Sequence, residues 1–409
     1  MRIRFLAVAL CCAIATSALA LTQAEIDRGS RRAAGGLKGV TRTLAGDRFQ
    51  GRDNDTQGSF DTQAYLVKKL RRLGAGPAPG AGDAAYKQPF TLSGQTGTNL
   101  LAVIPGRDLP HEYVVVGAHY DHLDTRSNAA GNCSANGAPG GAVCHGATDN
   151  AAGVAAVLAI GRAVKKLRTP PRRSIVLALW DSEEDGLVGS RYYTQNPLVP
   201  LVQTKGYINF DIMGQNLLPS LRNTSFSIGA ETGGSAFQAF VAEAAEAEGL
   251  GTLPLSFIFG QLRSDYVNFV TASVPTVFFS DADGACYHTV GDTIRIVNMK
   301  KLKAQSRIAY RVAMALAEGA TTPAFVAPNP ALAVYADALS LGQAVALGQT
   351  DLGLFAPPQQ ATLTGLQATL SQIIADGPAA FDASDVNALL GAAVQTVGTI
   401  KTLECGPMK

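Results

Sequence analysis

Past its first twenty residues the sequence has no apolar run long enough to cross a bilayer, so stable membrane insertion is not expected. It has no basic excess either. The largest Lys/Arg cluster is KKLRR, from Lys68 to Arg72, which reads as the wet face of a helix, so nothing marks nucleic acid as a partner. Only 16% of residues are charged against 47% apolar, and the apolar ones are spread along the whole length, so the chain is globular rather than disordered. Two hydrolase signatures are also missing. There is no G-x-S-x-G turn to expose a serine nucleophile. There is no H-E-x-x-H helix to hold a metal.

The twenty leading residues differ from the rest. MRIRFLAVALCCAIATSALA carries basic Arg2 and Arg4, an apolar middle and small residues at Ala18 and Ala20, the pattern of a secretory signal cut after Ala20. Leu10 before Cys11 is too bulky for a lipoprotein site. Without this leader 32 basic residues face 32 acidic ones. The expected location is periplasmic or extracellular. Four cysteines then remain, Cys133, Cys144, Cys286 and Cys405, and they can pair in three ways in an oxidising compartment. Cys133 and Cys144 bracket a Gly/Asn/Ala/Pro-rich loop with little else to order it, which favours that pair. Cys286 with Cys405 is a further option.

Residues 21–99 read as a helical opening segment, with Ala64, Leu66, Leu70 and Leu73 near helical spacing before a glycine stop. From Leu100 onward β-branched runs alternate with helical patterns. EYVVVGAH, SIVLALW, GYINFD and VPTVFFSD are predicted strands, and residues 150–167 and 235–249 predicted helices. This alternation predicts an α/β layered fold with a largely parallel or mixed sheet. From about Thr321 the strand signal stops and two Ala-rich helical segments follow with a Pro/Gln loop between them. The expected organisation is a leader over 1–20, a main domain over 21–320, and a C-terminal helical extension over 321–409 that packs either separately or as a last layer of that domain.

A chain this sparing of charge nevertheless writes DSEED directly after the apolar run ending at Trp180. Neighbouring side chains in extended structure point opposite ways, so one of Glu183 and Glu184 can hold a metal while the other moves protons. Other predicted strand ends carry similar groups. GAHYDHLD offers His119 and, two positions on, Asp121 to steer its imidazole; Asp211 closes GYINFD; His288 follows FFSDADGACY. Asp149 stands before a predicted helix, where taken alone it reads better as a cap. Of five histidines, His111, His119, His122, His145 and His288, three lie in or beside these strand ends. Two histidines and three carboxylates suit Zn²⁺, or Mn²⁺ or Co²⁺ less selectively, with one glutamate left over.

The ordered set HYD, DN, SEE, FD and CYH, with LAGDRFQGRDNDTQGS upstream and RSDYVNFVTASVPTVFFSD downstream, closely resembles peptidase family M28, the co-catalytic zinc aminopeptidases, from about Leu37 to Ala320. The resemblance implies a three-layer α/β/α domain with a central mixed, largely parallel sheet and two Zn²⁺ ions. It assigns His119 and Asp211 to one zinc, Glu184 and His288 to the other, Asp149 as the bridge, and Asp121 as an orienting group. A cis bond between Asp149 and Asn150 is implied, as are Glu183 as general base and Tyr287 as the phenol that stabilises the oxyanion. Tyr266 stands where the family often has histidine. The implied substrates are peptides with a free N-terminus. Two alternatives remain: a glutaminyl cyclase on the same scaffold, which would use one zinc, and a secreted binding protein with a structural metal site, which would have no use for an unligated Glu183.

Overall fold

The computed structural model describes residues 21–80, 85–124, 133, 142–329 and 333–408. The expected leader lies outside the described residues. Three helices open the described residues: α1 (Gln23–Ala33), α2 (Leu37–Leu44) and α3 (Gln57–Leu73). Thr56 caps α3 by accepting from the Ser59 amide, and Gly74 ends it at φ 82°, a conformation that favours glycine.

The helical opening segment stops earlier than its expected limit at Asn99. Strands β1 (Gly76–Pro77), β2 (Lys87–Leu92) and β3 (Gln95–Ile104) follow α3. Pro89 and Gly97 mask the strand pattern in the sequence, but β2 and β3 pair as a hairpin from Lys87↔Leu100 to Leu92↔Gln95. Ser93 and Gly94, both at positive φ, make the two-residue turn that such a hairpin requires.

The sheet continues through β4 (Leu109–His119), β5 (Arg173–Trp180), β6 (Thr204–Phe210), β7 (Thr224–Ile228), β8 (Gly251–Leu255) and β9 (Thr276–Ser280). Its order is β1-β3-β5-β4-β6-β9-β7-β8, with β2 also paired to β3. The centre, β5-β4-β6-β9, is parallel throughout, and antiparallel pairs join the flanks to it. Strands β7 and β8 are short, and no expectation covered them: Ser225 and Ser227 in one and Pro254 in the other hide them.

Alternation along β4 and β5 divides the interior in two. Val114, Val116 and Ala118 of β4, with Ile175, Leu177 and Leu179 of β5, pack with α4 (Ala152–Lys165) and α8 (Met299–Glu318). Tyr113 and Val115, with Val176, Ala178 and Trp180, face the other way, towards Tyr193 of α5 (Val188–Gln195) and Phe269 of α7 (Tyr266–Thr271). Helix α6 (Gly234–Glu248) joins the first face through Phe237 and Val241. The result is the expected α/β/α layering.

Beyond α8 come α9 (Tyr335–Gly348), α10 (Pro357–Asp376) and α11 (Ala383–Ile400). Helix α10 replaces the expected Pro/Gln loop. Its two prolines occupy the first turn, where an amide N–H has no helical partner to lose. The three helices share a small core built on Leu341, Leu370 and Leu389. Ala344, Leu363 and Ile400 also enter the core on the second face of the sheet, so the extension is packed against the main domain. Among the described residues no helix is long and apolar enough to cross a membrane.

A buried polar chain ties β5 to β6. Trp180 Nε1 donates to Tyr207 Oη at 2.8 Å, Tyr207 donates to Asn209 Oδ1 at 2.6 Å, and Asn209 donates to Ser264 Oγ at 2.8 Å. Tyr207→Phe strands a buried donor and a buried acceptor. It is expected to lower unfolding free energy by roughly 2–5 kcal/mol in a urea titration; a change within error would show that the chain is dispensable.

Candidate metal centre

The path from β4 through α4 leads to β5 on one side of β4 and then to β6 on the other. The carboxyl end of β4 is therefore a topological switch point, where open α/β sheets form a crevice. His119 is the last residue of β4, and Asp211 directly follows β6. Glu183 and Glu184 sit in the turn after β5, and Tyr287 and His288 in the loop after β9. Asp149 lies in the tight turn before α4, and its bond to Asn150 is cis.

These loops bring the carboxylates and imidazoles into contact. His119 Nε2 lies 3.3 Å from both Asp149 Oδ1 and Asp211 Oδ1. His288 Nε2 lies 3.2 Å from Asp149 Oδ2 and 3.1 Å from Glu184 Oε2. Asp149 thus turns one oxygen to each histidine. Asp121 stands behind: its backbone oxygen is 3.2 Å from His119 Nδ1, and its carboxylate accepts from the Glu184 amide at 3.1 Å.

His122 is an addition that the sequence reading did not place in the cluster. It is fully buried, with Nδ1 2.8 Å from Glu184 Oε1 and 3.8 Å from Asp149 Oδ2. Its signal was present, three positions after His119 in the same motif, but a strand-end pattern gives no direction to the turn that follows. Two supports were also missed. The buried Asp292 carboxylate accepts from the amides of Thr148 and Asp149 and from the Thr148 hydroxyl, fixing the Asp149 turn. Buried Arg52, within the upstream stretch LAGDRFQGRDNDTQGS, donates to the carbonyls of Leu44, Tyr120, His145 and Gly146 and so pins both loops from below. Burial lowers the Arg52 guanidinium to about 10 against the pull of Asp149 and Asp292.

Adjacent glutamates are driven apart electrostatically. Burial raises Glu183 well above the usual carboxylate range, with His119 opposing and Asp211 and Glu184 adding to the effect. Burial and the Asp149 charge act the same way on Glu184, yet His288 and His122 outweigh them and hold it at about 2. Burial opposes a charge on His119, but Glu183 and Asp211 raise it well above the ordinary imidazole value. Such opposed environments separate a charge-holding group from a proton-moving one.

The donor set fits cations. His119 Nδ1 faces the Asp121 carbonyl oxygen and Nε2 faces the Asp149 and Asp211 carboxylates, so a cation bound among them would replace the Nε2 proton and leave Nδ1–H to donate to that carbonyl. His119, Asp149 and Asp211 each offer a ligand atom within 4.8 Å of the others, and so do His122, Asp149 and Glu184, with Asp149 common to both groups. His288 reaches the second group through its contacts to Asp149 and Glu184.

Tyr287 stacks on the His288 ring at 3.7 Å, and its hydroxyl oxygen accepts from Arg263 Nη2 at 2.9 Å. Tyr266 is elsewhere in function: buried, stacked on Phe278 at 4.9 Å and bonded to the Leu262 amide, it belongs to the core. The structure pairs Cys133 with Cys144 and Cys286 with Cys405.

Residues 99–313, more than half of the chain, match the model of peptidase family M28. The chain belongs to this family. Leupeptin-inactivating enzyme 1 of Streptomyces exfoliatus is 29% identical to this M28 protein over 261 residues, 58% of this chain and 52% of that one. The M28 chain spans about half or less of the length of such curated relatives. In fold it resembles the LapA aminopeptidase of Legionella pneumophila, with TM-score 0.58 and 18% identity over 78% of this chain and 80% of that one. It also resembles the glutaminyl cyclase of Porphyromonas gingivalis, with TM-score 0.55 and 19% identity over 68% and 96%.

A cation held by this cluster stabilises the folded chain by mass action, about 2.7 kcal/mol at a hundredfold excess over its dissociation constant. Thermal denaturation of chelator-treated protein with and without added Zn²⁺ is therefore expected to show a higher midpoint with zinc. Coincident curves would show that the donors bind no ion.

Proposed function

We propose that this M28 protein is an exported di-zinc aminopeptidase that removes N-terminal residues from peptides. The observation that carries the reading is Asp149, whose two carboxylate oxygens face separate donor groups while Glu183 stays beside them. His119, Asp149 and Asp211 would hold one zinc, and Asp149, Glu184 and His288, with His122 alongside, the other. When bound, zinc polarises a carbonyl and acidifies water.

The side chains supply the rest. Glu183, 3.9 Å from His119, takes the proton of the attacking water and passes it to the leaving amine. Arg263 donates to the Tyr287 oxygen, which leaves the phenol proton for the oxyanion, a contribution of about 3–4 kcal/mol for such a donor. Asp121 positions the His119 ring. The cluster's excess of carboxylates draws a free α-ammonium group, which supports an N-terminal rather than a C-terminal preference. Two disulfides and the leader sequence support export to the periplasm or the medium.

A glutaminyl cyclase shares the architecture, but the His119 and Asp211 donors beyond Glu184 and His288 favour two metals over one. A purely structural site would not explain Glu183.

Elemental analysis of zinc-saturated protein is expected to give two ions per chain, one after Asp211→Ala, and fewer than one after Asp149→Ala. One ion in the unmutated chain would overturn the bridge. On a panel of aminoacyl chromogenic amides, activity should vanish with chelator and return with Zn²⁺. Glu183→Gln should keep its metal and lose roughly 10²–10⁴-fold in kcat; full activity would reject Glu183 as the base.

A further inference from the structure

A cavity of about 310 Å³ includes Asp149, Glu183, Asp211 and Tyr287 in its wall, and most of its remaining lining is apolar. That volume falls at the lower end of the roughly 300–1,000 Å³ typical of small-ligand pockets. Part of the apolar lining comes from the sheet, through Phe226 of β7 and Phe278 of β9. The other part comes from outside the matched family segment: Leu341 of α9, Leu363 of α10 and Val397 of α11.

These helices are fixed to the centre rather than resting on it. Asp337 of α9 accepts from the amide and hydroxyl of Ser256, both at 2.7 Å, and Asp351 accepts from the Ser220 amide at 2.8 Å. The Lys401 ammonium lies 4.7 Å over the Tyr287 ring and 3.8 Å from Asp283. The disulfide from Cys405 to Cys286 joins the chain end to the residue just before Tyr287 and His288. One wall of the cavity and the loop bearing two site residues are therefore covalently linked.

We propose that the three C-terminal helices are a specificity-determining wall, and that the apolar chamber they close takes a long aliphatic or aromatic side chain on the residue whose carbonyl is attacked. The proposal rests on the peptidase reading. It commits to that occupant because the apolar lining and the carboxylates share one cavity, so a group seated there is attached to the part of the substrate that the carboxylates hold. Burial of a methylene in such a chamber is worth about a fourfold gain.

The test uses the zinc-loaded full chain and two series of probes. Across alanyl, norvalyl, norleucyl and 2-aminooctanoyl chromogenic amides, kcat/KM is expected to rise about fourfold per methylene. Across n-alkylamines from propylamine to octylamine, affinity measured by calorimetry should rise in step. Val397→Trp and, from a different helix, Leu363→Trp should flatten both gradients by filling the chamber. Val397→Ala should extend them to a longer chain, which a misfolded variant could not do. A flat wild-type series, or gradients unchanged in all three variants, overturns the proposal. Hydrolysis of none of the amides together with a persistent alkylamine gradient would reject the peptidase reading and still support the chamber and its helical wall.

Discussion

Asp149 is a single buried carboxylate that must serve two directions at once. One oxygen faces His119 and the other His288, with His122 close to the second, and the side chain is 4% exposed. Burial in a low-dielectric setting opposes ionisation, yet the three imidazoles reverse that tendency and hold Asp149 well below the usual carboxylate range. The surrounding architecture answers this constraint. Acidic groups accumulate where only positive charge, from imidazoles, a guanidinium or bound cations, makes their burial tolerable.

The supporting parts lie below the cluster. Asp292 grips the turn that aims Asp149, and Arg52 collects carbonyls from the loops carrying Asp121 and Asp149. These bonds connect segments that the sheet alone would leave as irregular backbone, and a fixed loop is what keeps ligand atoms within reach of one another. Glu183 gains its separate character in the same way. It shares a turn with Glu184, but its neighbour faces two histidines while its own carboxylate meets burial and other acids with His119 alone opposing them.

The C-terminal helices extend this logic outward. Their internal core of Leu341, Leu370 and Leu389 is small, and their hold on the main domain comes from Ala344, Leu363 and Ile400, from polar caps and from the Cys286–Cys405 link. The extension is thus a further layer over the second face of the sheet, next to the crevice where the strands of the parallel centre end. These helices line the cavity that also holds Asp149 and Glu183.

Local chemistry determined much of this protein from its sequence alone. Runs such as EYVVVGAH and SIVLALW give central strands because β-branched and aromatic side chains fill both faces of a covered sheet, and polar residues at their carboxyl ends mark the crevice. His119, Asp121, Asp149, Glu183, Glu184, Asp211, Tyr287 and His288 could be nominated on that basis and by resemblance. Where signals were weak the reading failed: Pro89 and Gly97 obscured the β2–β3 hairpin, and Pro357 and Pro358 made the start of α10 resemble a loop. Only the tertiary structure decided that His122 turns back onto Glu184, that Asp292 reaches Thr148 across 144 positions, and that helices after residue 334 line a cavity with Asp149. Such contacts depend on the directions of loops and on packing between distant segments, and periodicity records neither.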